Sequence, residues 1–258
     1  MIICIIQARM GSSRLPGKVL KKMDNNHVVL DHVINQLKSS KNIENIIVAT
    51  SNLKEDDLIC SHLTSNNVNF YRGSSDDVLD RYYRCAKKFS ADIIVRITAD
   101  NPLIDPEIVD LVVDKFTNNK CDYATNSLNR TFPFGTEVEV FSFQVLEKAW
   151  KNSKKPSERE HVTPFIRDPK NQFILFSVEH NENFSFLRYT VDRIEDLTLV
   201  KEILKNIDTR PILMKHILNL YKKNPEIFKI NENVQHDGYI SSLKKDEEHL
   251  KSKKDNEI

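Results

Sequence analysis

The amino-acid sequence predicts an α/β domain in which helices cover a mostly parallel sheet. Three observations carry this. Two runs of mainly branched apolar residues, 2–6 and 93–97, are bounded by polar turns and read as buried strands. Strand and helix patterns alternate along the chain, as in parallel sheets with crossover helices. The 258 residues are 40% apolar, enough for one sizeable core with at most a small subdomain.

Each element follows from its own pattern. The strand at 2–6 breaks into the loop Gln7-Ala8-Arg9-Met10-Gly11-Ser12-Ser13-Arg14-Leu15-Pro16-Gly17-Lys18, which carries Arg9, Arg14 and Lys18 beside two serines and two glycines. Inward-turned backbone N–H groups and cations in such a loop can meet several phosphate oxygens. Two familiar phosphate loops fail on spacing: five residues separate Gly11 from Gly17, Val19 follows Lys18, and no third glycine is near. Val29, Leu30, Val33, Ile34 and Leu37 predict a helix over 28–37. A strand over 45–50 ends in Thr50-Ser51-Asn52, at the carboxyl edge where ligands sit in parallel sheets. A helix over 55–63 and a strand over 68–72 follow. In 72–81, Ser74 or Ser75 can cap the next helix, and Asp76 and Asp77 suit its positive N-terminus.

The strand at 93–97 is interrupted by Arg96, a charge that requires a match in a core strand. Asp100 at its end, before Asn101-Pro102, reads either as a turn former or as a carboxylate placed to hold Mg²⁺ against a triphosphate. Asp105 caps a helix whose first residue is Pro106. Over 136–140, Thr136, Val138 and Val140 alternate with Glu137 and Glu139, the pattern of a half-buried strand with a wet acidic face. A helix over 143–150 follows. Ser157 and Glu160 fit a capping box, which leaves Arg159 and His161 unexplained. His161 suits a proton carrier near neutrality or a ligand-positioning group. Residues 187–191 read as a strand ending in Asp192, which can also cap a helix running through Asp196 to Leu204. Residues 211–230 look helical. The chain thus divides into one domain, 1–240, and a charged tail, 241–258, expected to be disordered.

Composition excludes several classes. A net charge of +1 gives no sign of a general nucleic-acid binder. Cys4, Cys60, Cys85 and Cys121 form no CxxC pair and no zinc-ligand spacing, so reduced thiols in the cytoplasm are expected. No run reaches the ~18 apolar residues of a membrane span.

The pattern Gln-Ala-Arg-Met-Gly-Ser-Ser-Arg-Leu-Pro-Gly-Lys resembles the signature loop of nucleotide-sugar cytidylyltransferases, in the spore-coat polysaccharide (SpsF-type) branch related to the acylneuraminate and ketodeoxyoctonate enzymes. Thr98-Ala99-Asp100-Asn101-Pro102 resembles the family's metal-aspartate motif. Glu158-Arg159-Glu160-His161-Val162-Thr163-Pro164 resembles its acceptor-side motif, and Arg188-Tyr189-Thr190-Val191-Asp192 its second metal motif. The resemblance spans residues 1 to about 205. It implies a three-layer α/β/α nucleotidyltransferase fold (GT-A-like), a homodimer, and a small projecting arm around 125–170. It implies transfer of CMP from CTP to a sugar acid or related small acidic or phosphorylated acceptor, with release of pyrophosphate. Arg14, Lys18 and Asp100 would be catalytic, and Asp100 and Asp192 would hold Mg²⁺. Ile6, Gln7, Ala8, Arg9, Ser12, Ser51, Gly73, Ser74 and Arg96 would bind the nucleotide with Arg14 and Lys18. Glu137, at a position where the family commonly has Asp, would face the acceptor with Glu139, Arg159 and His161. Two alternatives are a nucleotide-sugar glycosyltransferase, which usually carries an Asp-x-Asp pair absent here, and a catalytically silent nucleotide-binding protein.

Overall fold

A computed structural model of the chain describes residues 1–234 and Asp246; the predicted tail otherwise lies outside the described residues. The elements in chain order are β1 (Ile2–Gln7), α1 (Val29–Leu37), β2 (Asn45–Ser51), α2 (Asp57–Ser65), β3 (Phe70–Gly73), α3 (Val78–Lys88), β4 (Ile93–Thr98), α4 (Pro106–Asn118), β5 (Tyr123–Thr125), β6 (Glu139–Ser142), α5 (Phe143–Asn152), α6 (Pro156–His161), α7 (Pro164–Arg167), β7 (Leu175–Ser177), α8 (Ile194–Asn206) and α9 (Met214–Lys223). The strands form one sheet in the order β3-β2-β1-β4-β6-β5-β7. Among the described residues, only β6 runs antiparallel to its neighbours.

β1 is central and buried on both faces, which is why it reads as an unbroken apolar run. Cys4 and Ile6 pack under α1 and α4 with Leu30, Val33, Val109 and Val112. Ile3 and Ile5 face the other side, with Leu79 and Tyr82 of α3 and Leu146 of α5. The result is three layers. A further cluster gathers α8 and α9 around Leu187, Tyr189 and Val191. Most of the 125–170 region lies against this body: β6 joins the sheet, and Val145, Leu146, Val162 and Ile166 belong to the α3 core.

Several local expectations are corrected. Residues 187–191 are an extended segment touching the 134 region through a single bridge, Phe134 to Arg188. Gly135 allows this approach, because its φ is 105° and a Cβ there would lie 2.7 Å from the Thr190 nitrogen. The helical stretch 211–230 is split by Pro225 into α9 and a 3₁₀ segment, Pro225–Asn231. Glu158, not Glu160, receives the N–H groups of Lys154 and Lys155 at the start of α6 (2.9 and 3.1 Å). Asp196, not Asp192, caps α8, accepting the N–H groups of Asp192 and Arg193 at 2.9 Å each. Asp77, rather than a serine, caps α3 through the Asp80 N–H (2.8 Å), while Asp105 caps α4 as expected. All four cysteines are free thiols.

Candidate active site

β1 and β4 run side by side in parallel, with Gln7 beside Thr98, so their following loops leave the same sheet edge. The loop after β1 is folded by its own backbone. Ser12 and Gly17 both donate to the Met10 carbonyl (2.9 and 3.0 Å). Met10 in turn donates to Asp56 Oδ1 (2.7 Å). Asp56 is fully buried and also receives the Ser51 N–H at 3.1 Å and the Ser51 hydroxyl. It therefore ties the loop to the end of β2. Gly17 takes the left-handed conformation, φ 65°, at the turn into the short segment Lys18–Leu20.

This turn delivers Lys18 between two carboxylates. Its Nζ lies 2.6 Å from Asp100 Oδ2 and 2.7 Å from Asp192 Oδ1. Arg14 Nη2 stands 2.8 Å from the same Asp192 oxygen, and Arg188 Nη2 3.0 Å from the other. The two aspartates meet because the 190–192 segment is bonded to the backbone of Asp100. The Val191 N–H donates to the Asp100 carbonyl at 2.7 Å, and the Thr190 hydroxyl does so at 3.2 Å. Behind them Asp196, wholly buried, accepts Arg188 Nε at 2.9 Å and Asn231 Nδ2 at 2.8 Å. Burial works against charge on Asp192, but Lys18, Arg14 and Arg188 outweigh it and hold this carboxyl well below the usual carboxylate range. Burial likewise opposes the Lys18 ammonium, and Asp100 and Asp192 overcome it and raise its pKa.

A cleft of about 510 Å³ opens over these groups, walled by Gln7, Arg9, Ser12, Arg14, Lys18, Thr98, Asp100 and Asp192. Glu160 and His161, at the end of α6, complete the wall. The arrangement suits a polyanion brought in with a divalent cation. The Lys18 ammonium within 2.7 Å of both carboxylates marks a point where positive charge is stabilised. Two carboxylates with room for phosphate oxygens are also the usual hard-oxygen donor set for Mg²⁺.

Of the sequence-predicted residues, Gln7, Arg9, Ser12, Arg14, Lys18, Asp100, Asp192 and His161 come together. Others do not. The Ile6 side chain is buried in the core, and the Ala8 N–H and the Gln7 carbonyl are engaged inside the sheet by the Ala49 carbonyl and the Ala99 N–H. Ser51 is buried against Asp56. Gly73 is buried against the Arg81 side chain, and Ser74 Oγ accepts the Asp77 N–H (3.0 Å) in the turn before α3. Arg96 sits behind the cleft. It is the cross-strand neighbour of Glu139, pairs with it directly, and approaches the cleft only through Gln7 Oε1 at 3.3 Å. Glu139 is therefore neither wet nor acceptor-facing: it is 6% exposed and also receives the hydroxyls of Tyr123 and Thr163. Arg159 braces α6 against α5, through the Ser153 and Trp150 carbonyls (3.2 and 2.8 Å), and lies 3.3 Å from Asp77. Glu137 lies beside the cleft, held by Arg130 at 2.6 Å and Asn101 at 3.3 Å. Asp56, Glu160, Arg188 and Asn231 were not assigned from the sequence. Arg188 has a signal in its spacing from Asp192; Asn231 has none, its partners being remote in the chain, and the contact of Asp56 with the loop, through Met10, is likewise remote.

A cytidylyltransferase family model matches residues 3–236. The chain is 43% identical over 240 residues to the uncharacterized protein MJ1063 of Methanocaldococcus jannaschii, covering 92% of this chain and 97% of that one. It is 32% identical to the spore coat polysaccharide biosynthesis protein SpsF of Bacillus subtilis over 87% of this chain and 95% of that one. A solved cytidylyltransferase from Leptospira borgpetersenii superposes with a TM-score of 0.85 at 36% identity, covering 91% of this chain and 99% of that chain. A CMP-2-keto-3-deoxy-manno-octonic acid synthetase solved with CTP shares the fold at a TM-score of 0.62 and 17% identity, over 80% of this chain and 98% of that one.

Proposed function

Because the chain belongs to the cytidylyltransferase family, we propose that it transfers CMP from CTP to a sugar acid or related polysaccharide precursor and releases pyrophosphate. The observation that carries this reading is the convergence of Arg14, Lys18, Asp100 and Asp192 in one cleft at the carboxyl edge of the sheet. SpsF, a relative named for polysaccharide biosynthesis, supports the acceptor class.

The chemistry follows from charge. An acceptor oxygen attacks the α-phosphorus, the bond from that phosphorus to the bridging oxygen breaks, and pyrophosphate leaves. Negative charge grows on the α-phosphoryl oxygens and the leaving group. Arg9, Arg14 and Lys18 meet the triphosphate and stabilise that charge, since preorganised cations in a partly dry cleft act without reorganising. Asp100 and Asp192 would hold Mg²⁺, which supplies charge neutralisation across the phosphates. Before substrate arrives, the same carboxylates keep Lys18 and Arg14 extended into the cleft. Glu160 and His161 then face the acceptor, where His161 positions it or takes its proton. The reading includes a homodimer, as the family resemblance implies, and sedimentation tests it.

Pyrophosphate release from each of the four NTPs with Mg²⁺, against a panel of acidic sugars and small phosphorylated or carboxylated acceptors, tests the proposal. Release with CTP and one acceptor is expected. Release with another nucleotide alone would overturn the CTP assignment, and release of a nucleoside diphosphate from a nucleotide sugar would move the protein to the glycosyltransferases.

A further inference from the structure

A second cluster lies outside the cleft, in the connection between Lys18–Leu20 and α1. Asp24 folds a tight turn, its Oδ1 accepting the N–H groups of Asn26 and His27 at 2.8 Å each. The turn is closed by the Met23 N–H on the His27 carbonyl (2.9 Å). That backbone turn uses only one carboxylate oxygen. Two imidazoles nevertheless aim at the same group: His27 Nδ1 lies 3.2 Å from Asp24, and His32 Nε2, reaching back from α1, lies 2.9 Å from Oδ2. The three ligand atoms lie within 4.8 Å of one another. The rings meet edge-on, with centroids 5.5 Å apart and planes at 71°, so a nitrogen of each converges on one point instead of stacking. The cluster opens on a cavity of about 570 Å³, bordered by the polar side chains of Asn25, Asn35 and Gln36 and by Arg210.

We propose that Asp24, His27 and His32 form a binding site for a divalent transition-metal ion, with an open coordination position toward the cavity. Bonds of about 2.0–2.1 Å to such an ion set neighbouring donors roughly 3.3 Å apart in a tetrahedron; the two imidazole nitrogens lie 2.9 and 3.2 Å from Asp24 Oδ2, with all three donors within 4.8 Å of one another. Two imidazoles and one carboxylate select zinc, iron or cobalt over Mg²⁺ and Ca²⁺, which prefer oxygen ligands alone. His32 is fixed, being 8% exposed, while His27 and Asp24 lie nearer the surface. The ion would clamp the 22–28 turn, whose ends are paired at Lys22 and Val28, to the first turns of α1. It would thereby stiffen the chain just after Lys18.

The test uses full-length, untagged protein stripped of metal and titrated with Zn²⁺ by calorimetry, and with Co²⁺ by visible absorption. One equivalent is expected, with the Co²⁺ bands of a nitrogen-containing site and a raised melting temperature. His27→Ala and Asp24→Asn, both in an exposed turn, should each weaken binding at least ~10-fold, a floor set by the effect of losing even an outer partner of a metal ligand. Asp100→Asn and Cys60→Ser should leave it unchanged. Absence of a stoichiometric site, or binding that survives His27→Ala and Asp24→Asn, or binding lost in Asp100→Asn instead, would overturn the proposal.

Discussion

Two clusters of paired cations and carboxylates sit close together, one on β4 and β6 and one in the loops beyond the ends of β1 and β4. In the first, Arg96 and Glu139 face each other across β4 and β6, and each largely completes the other. Tyr123 and Thr163 occupy a further Glu139 oxygen, and little of the pair reaches solvent. In the second, Lys18, Arg14, Asp100 and Asp192 balance one another beyond the carboxyl edge of the sheet, with a cleft opening over them. The first cluster is closed and serves the fold. In the proposed reaction the second exchanges partners when a polyanion and a metal arrive. What separates them is position relative to the strands: the mid-strand charges meet cross-strand neighbours, whereas those beyond the last ladder pair border an open cleft.

Breaking each cluster should have opposite signatures. The largest effect on the fold should come from Glu139→Ala, which leaves Arg96 buried and unpaired. A loss of about 3–5 kcal/mol in unfolding free energy is expected from urea titration, with much of it recovered in the Arg96→Leu/Glu139→Leu double variant. An unchanged midpoint in Glu139→Ala would erase the distinction. Asp100→Ala and Arg14→Ala should each cut turnover at least ~100-fold, about 2.7 kcal/mol of barrier, by removing one preorganised electrostatic contact. Their stability should change by no more than ~1 kcal/mol, as for partly exposed pairs. Near-normal pyrophosphate release in either variant would remove that residue from the mechanism.

Asn231 tests whether the open cluster is buttressed from behind. Asn231→Ala deletes bonds to Asp196 and to the Arg188 carbonyl (2.8 and 3.1 Å). It should cost about 1–2 kcal/mol of stability, the scale of leaving buried polar groups unmatched, with a smaller loss of turnover than Asp100→Ala. The smallest effect is a slope with pH. Burial opposes charge on Glu139, but Arg96, Thr163 and Tyr123 outweigh it and keep its pKa below the ordinary glutamate value of 4.5. A carboxylate depressed in the folded state stabilises the protein above that value, and the contribution is lost as pH falls through and below it. The urea midpoint should therefore fall more steeply as pH drops below 4.5 in wild type than in Glu139→Gln; equal slopes there would contradict the closed-pair assignment.

Much of this architecture is legible in the chain. The unbroken apolar run of β1, the proline-started α4 and the periodic face of α1 are local patterns, and local patterns set local structure. The basic loop and the acids at the ends of their segments were legible too, because a carboxylate just past a strand stands out in sequence. The predicted residues that the fold keeps out of the cleft lining share one feature. Ser51, Ser74, Arg96, Glu139 and Arg159 are polar residues with the right chemistry, and sequence gives no sign of whether their partner is protein or ligand. Alternation marked Glu139 as wet, yet the cross-strand Arg96 drew it inward.

The sequence by itself determined the strand-and-helix alternation, the cationic loop and the two acids, since each depends on neighbours within a few residues. Only the tertiary structure decided which charges face the cleft. It brought Asp192 to Asp100 through the Val191–Asp100 backbone bond, set Asp56 beneath the loop, and placed Asn231 behind Arg188. Those choices depend on contacts between distant segments, and pairing across such distances follows from sheet order and packing, which no local pattern encodes.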